Sequence, residues 1–66
     1  MKHHILTLPL NDDQFRDLTN ALEDYRDYFL RQAQEASLGF GLDAQYWSGR
    51  AEEIEKIRTM VLEERE

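Results

Sequence analysis

Lys2-His3-His4-Ile5-Leu6-Thr7-Leu8-Pro9-Leu10, running straight into Asn11-Asp12-Asp13-Gln14, is the stretch that decides how this chain is read. Leu6, Leu8 and Leu10 alternate with Ile5, Thr7 and Pro9, a period of two that puts the leucines on one face of an extended segment. Ile5 and Thr7 add β-propensity. Pro9 has no amide hydrogen to donate and should end any pairing. The pattern predicts a short strand over residues 3–8. A lone strand leaves its own backbone donors and acceptors unpaired. Since no other segment here reads as a strand, the partner strand is expected in a second molecule, as a two-stranded intersubunit ribbon.

Asn11 then opens a helix. With Asn11 as N-cap, Gln14 falls at N3 and completes a capping-box pair. Asp12 and Asp13 lie in the first turn, where the helix dipole favours acids. Leu10 and Phe15 have the N′ and N4 spacing of a hydrophobic staple. Phe15, Leu18, Leu22, Tyr25 and Phe29 follow at intervals of 3, 4, 3 and 4, the signature of a packed helical seam, and Gln32 or Ala33 and then Ala36 extend it. Asp12–Arg16 and Asp27–Arg31 have the i,i+4 spacing of outer ion pairs. The first helix is expected over residues 12–37.

Ser37-Leu38-Gly39-Phe40-Gly41-Leu42 breaks the pattern, with Gly39 suited to a left-handed C-terminal cap. A turn is expected over 38–43. Asp43 is an N-cap for a second helix over 44–64. Its inner positions read as Tyr46 or Trp47, Arg50 or Ala51, Ile54, Ile57 and Val61, with Glu52–Lys56 outside. Gly49 lies within that helix and hints at close approach of another backbone near Tyr28 or Phe29. A short turn makes consecutive helices antiparallel neighbours. The whole is one domain, 1–66: an all-α helical hairpin with an N-terminal strand, two copies of which would build a dimeric four-helix bundle joined by the ribbon.

Size points the same way. A chain of 66 residues and 7.9 kDa has little core to spare, and small domains without other staples often oligomerise. There is no cysteine, which removes disulfides and thiolate metal sites. The opening apolar stretch is too short for a signal peptide, and no apolar run approaches the roughly 20 residues that span a bilayer. A cytoplasmic protein without membrane contact is expected.

The formal net charge is −6. Residues 12–36 carry seven acids against three bases, and residues 37–66 seven against four, so the two helices share the acidity. That disfavours nucleic acid and anionic membrane as partners and tolerates a protein with a basic surface.

Chemistry-bearing constellations are sparse. Glu23, Asp24, Asp27, Glu52, Glu53 and Glu55 could offer oxygen ligands, but they fall off the apolar stripe, and no histidine follows His4 to complete a Glu-x-x-His site. His3 and His4 are adjacent in a strand and face opposite ways. Ser37 and Ser48 sit at a helix end and near a helix start, where serine commonly serves the backbone. Gly39-Phe40-Gly41 follows a helix rather than a strand, so it is no phosphate loop. Neither enzymatic activity nor a cofactor or metal is expected.

The order strand, helix, helix is similar in plan to the ribbon-helix-helix repressors, whose paired strands enter the major groove. That resemblance implies a DNA-binding regulator. It covers no specific motif, and the strand offers His3, Ile5 and Thr7 with no arginine. A second alternative is an inhibitor that imitates nucleic acid with spaced carboxylates. The main expectation is a homodimerising interaction module. Its dimer and core residues are Leu6, Leu8, Leu10, Phe15, Leu18, Leu22, Tyr25, Phe29, Trp47, Ile54, Ile57 and Val61. Tyr28, Phe40 and Tyr46 are the candidate partner contacts, since rigid aromatics with a polar tip dominate binding hot spots.

Overall fold

In the computed structural model, which describes residues 2–39 and 43–64, the chain is a helical hairpin. Helix α1 is Asp12–Ser37 and helix α2 is Ala44–Glu63. α1 begins with a complete capping box. The Asn11 side chain accepts from the Gln14 amide at 2.8 Å, and the Gln14 side chain accepts from the Asn11 amide at 3.0 Å. Two of the orphan donors of the first turn are thereby satisfied. α1 ends where Gly39 turns to a φ of 95°, its amide donating to the carbonyl of Ala36 at 3.0 Å. This left-handed geometry stops the helix and costs glycine little. α2 starts on Asp43, whose carboxylate accepts from the Gln45 amide at 2.9 Å. The expected turn over 38–43 lies partly outside the described residues, as does Phe40.

The expected strand over residues 3–8 is not formed, and the intersubunit ribbon built on it goes with it. No strand or sheet occurs among the described residues, and residues 2–10 are an exposed arm without regular structure. A β-ladder exists only between two strands, and the alternation of Leu6 and Leu8 has no facing strand among the described residues to pair with. The strand cover and ribbon are corrected to an exposed arm, and the described residues form a two-helix hairpin behind it.

The helices pack antiparallel, with Arg26 of α1 level with Glu55 of α2 and Phe29 level with Trp47. On α1 the positions 15, 19, 22, 26, 29, 33 and 36 are all buried or half-buried. On α2 the matching series is 44, 47, 51, 54, 58 and 61. Both series step by 3 and 4, as an antiparallel seam requires. The core is small. Phe29, Ala51 and Ile54 are buried, with Leu22 and Trp47 packed against them.

The α1 seam is therefore turned from the leucine and tyrosine stripe read in the sequence. Thr19 and Arg26 occupy it in place of Leu18 and Tyr25. Thr19 is only 7% exposed and satisfies its hydroxyl locally, donating to the carbonyl of Arg16 at 3.0 Å. On α2, Arg58 takes a seam position and Ile57 stands outside.

Candidate interaction surface

Turning the seam sorts the remaining side chains onto two flanks of the hairpin. Residues follow one another by 100° around a helix, and two antiparallel helices wind in opposite senses when viewed from one end. The positions just before the seam on α1 and those just before it on α2 therefore share one flank. On α1 these are Leu18, Ala21, Tyr25 and Tyr28. On α2 they are Tyr46, Arg50, Glu53 and Ile57, with Met60 at the outer edge of the row. Ring contacts agree with this placement. Tyr28 meets Trp47 edge-on with centroids 6.5 Å apart, and Tyr46 meets the same indole at 5.1 Å. Tyr25 and Tyr28 each lean on Phe29, at 4.6 Å and 5.5 Å. Phe29 stacks on Trp47 at 5.5 Å, and the Arg50 guanidinium lies 5.5 Å from the Phe29 ring centre. The result is an aromatic flank that is rigid because every ring rests on another.

The opposite flank is ionic. Arg26 Nη1 donates to Glu55 Oε1 at 2.6 Å across the seam. The same guanidinium donates to Asp27 Oδ1 at 3.0 and 3.1 Å and stands 3.7 Å from Glu23. These acids, Glu55 first and then Asp27, hold the Arg26 pKa above its ordinary value. Arg58 approaches Glu55 at 3.8 Å, and its Nε is buried without a hydrogen-bond partner. Leu30 and Leu62 lie on this flank, exposed. An open depression here is lined by Arg26, Leu30, Ser48, Ala51, Glu52 and Glu55. A second, on the outside of α2, is lined by Glu55, Lys56, Thr59 and Met60.

The structure separates the residues singled out in the sequence into three groups. Phe29 and Ile54 are buried, and Leu22 and Trp47 pack on them. Phe15, Leu18 and Val61 are half-buried. Leu6, Leu8 and Leu10 lie on the exposed arm, and Tyr25, Tyr28, Tyr46 and Ile57 on the exposed aromatic flank. Arg26 was missed. Its one signal in the sequence is its place four residues after Leu22 and three before Phe29, a seam spacing that its charge concealed.

Other expected details change as well. The outer ion pairs form at i,i+3 rather than i,i+4: Asp13–Arg16 at 3.7 Å and Glu53–Lys56 at 3.0 Å. Both spacings share a helix face, so long side chains can choose either. Glu53 raises the Lys56 pKa above its ordinary value. A Cβ added at Gly49 meets nothing within 4 Å, so no backbone approaches there.

No group of three or more His, Cys, Asp or Glu side chains among the described residues is arranged to hold a metal ion. No helix among them is long and apolar enough to cross a membrane. No family model, no curated protein and no solved structure matches this chain, so the surface just described carries the functional reading by itself.

Proposed function

We propose that this chain is a non-catalytic association module whose working form is a homodimer. The observation that carries this reading is uncovered area. Two helices side by side make a single layer, 14 Å in its thinnest dimension, and a helix layer needs a second layer against it to bury an apolar face. The chain exposes 5778 Å², whereas a compact protein of this mass exposes about 4,400 Å². Part of that excess of about 1,400 Å² is the arm. The hairpin adds to it through exposed large apolar side chains, Tyr25, Tyr28, Leu30, Tyr46, Ile57 and Met60 among them, and one partner of a standard interface covers about 800 Å².

The alternative of a DNA-binding regulator rested on a strand ribbon, and the arm forms no strand among the described residues. The carboxylates of Glu23, Asp27 and Glu55 are turned toward Arg26, which weakens a spaced-carboxylate mimic.

Sedimentation equilibrium across the micromolar range tests the proposal. The expected result is a mass of twice 7.9 kDa, falling toward 7.9 kDa on dilution. A helical protein that stays at 7.9 kDa at every concentration overturns it.

A further inference from the structure

We infer that the second copy docks on the aromatic flank, so that two hairpins lie face to face through Tyr25, Tyr28, Tyr46, Ile57 and Met60 with their ion-paired flanks outward. This rests on the homodimer reading and adds to it which surface is used.

Three observations favour that flank. The first is area. The five side chains are each between 41% and 57% exposed. At about 200 Å² per large side chain, they leave on the order of 500 Å² of mostly apolar surface on one flank. A standard interface takes about 800 Å² per partner, of which roughly 57% is apolar, or about 450 Å². The flank alone matches what a stable dimer requires.

The second is composition. Interface cores are rich in Tyr, Trp, Met and Arg, and this flank presents three tyrosines and a methionine beside Trp47 and Arg50. Its rings are already held by one another, so little side-chain freedom remains to be lost on docking. The third is the contrast with the other flank. Covering that one would strip water from Arg26, Glu23, Glu55 and Arg58, and desolvating charges costs more than their mutual attraction returns unless every hydrogen bond is met. Arg58 Nε is already unmet.

A second copy is the fitting occupant because a two-fold arrangement lets one patch meet itself. Arg50 and Glu53 lie within the flank's row on α2, between Tyr46 and Ile57 and three positions apart, a charge pattern that complements its own inverted copy.

The test compares two matched double variants by sedimentation equilibrium, with helicity followed by circular dichroism. Ile57→Lys with Met60→Lys places two charges on the aromatic flank. Leu30→Lys with Leu62→Lys places two on the opposite flank. The aromatic-flank variant is expected to raise the dimer dissociation constant about 30-fold or more, the effect of losing one hot spot, and the opposite-flank variant less than about threefold. Tyr46→Lys, near the turn, is a third variant should the double substitution unfold the hairpin. Hydroxyl-radical footprinting of the unaltered protein needs no substitution: Tyr46 and Met60 should be protected at dimer concentrations, and Leu30 and Leu62 should not. A wild-type monomer overturns the homodimer and this inference together. A wild-type dimer that the opposite-flank variant disrupts as much as or more than the aromatic-flank variant, or whose footprint falls on Leu30 and Leu62, overturns the flank alone and leaves the dimer standing.

Discussion

Arg26 Nη1 and Glu55 Oε1 stand 2.6 Å apart across the helix seam, joining residues 29 positions apart in the chain. Two neighbouring acids share the same guanidinium, Asp27 at 3.0 Å and Glu23 at 3.7 Å. One arginine thus balances three carboxylates at the level where the hairpin halves meet. Arg26→Glu would place four acids there. The expected result is a lower thermal midpoint, with a larger drop at low ionic strength than in 0.5 M salt, because screening weakens partly exposed charges. Combining it with Glu55→Arg should restore part of the loss. Circular dichroism melts at the two salt concentrations check both statements.

Arg58 is the opposite case, a seam arginine whose Nε is buried without a partner. An unmet buried donor costs about 1–3 kcal/mol, and an apolar side chain of similar length removes that cost while keeping the packing. Arg58→Leu should raise the urea midpoint at fixed protein concentration, by up to about 1 kcal/mol of stability after the loss of its distant pairing with Glu55. An unchanged or lower midpoint would show that the Glu55 contact matters more.

Phe29 is the largest buried side chain among the described residues and touches Tyr25, Tyr28 and Trp47. Truncating a buried Phe to Ala costs about 3–5 kcal/mol. A domain of this size has roughly 3–10 kcal/mol in all. Phe29→Ala should therefore abolish most of the cooperative melt, seen as a broad, low-temperature loss of helicity.

The two described glycines should respond in opposite directions. Gly39 has φ of 95°, a region where an added Cβ is strained, so Gly39→Ala should destabilise by about 1 kcal/mol. Gly49 sits within α2 with open space around it, so Gly49→Ala should stabilise by about 1 kcal/mol through helix propensity. Paired urea titrations of the two variants are the measurement.

Lys56 is held above its ordinary value of 10.5 by Glu53, which accepts from its ammonium at 3.0 Å. A raised pKa in the folded state means the pair stabilises at every pH below 10.5 at which Glu53 is ionised, and the contribution fades as pH rises through the elevated value. The difference in midpoint between wild type and Lys56→Gln should be constant from pH 7 to 10 and shrink only as pH rises beyond 10.5, through the elevated value. A difference that instead grew with pH would contradict the pairing.

Much of the hairpin was legible in the chain before folding. Asn11 with Gln14, Asp43, Gly39 and the 3–4 spacing of apolar residues are local signals, because capping and amphipathicity act within a turn or two of the same helix. Two things were not legible. The alternation of Leu6 and Leu8 is a local pattern too, but a strand is a relationship between two segments, and the described residues supply no second one. The other is the facing of α1. Its apolar arc is wide enough to hold two seams one residue apart, Leu18–Tyr25 or Thr19–Arg26. Helix propensity and periodicity fit both.

Tertiary structure chose between those seams. With Glu55 opposite, Arg26 can keep its charge paired at the seam edge, and Trp47, Ala51 and Ile54 close on Phe29 and Leu22 at the same rotation. That rotation of about 40°, with Phe15, Leu22 and Phe29 kept inside, left Tyr25 outward, on the side of Tyr28, Tyr46 and Ile57. The sequence by itself determined that there are two amphipathic helices and where they start. Only their packing decided which apolar residues are spent inside the hairpin and which are left on its surface, because a side chain's exposure depends on what the other helix brings against it.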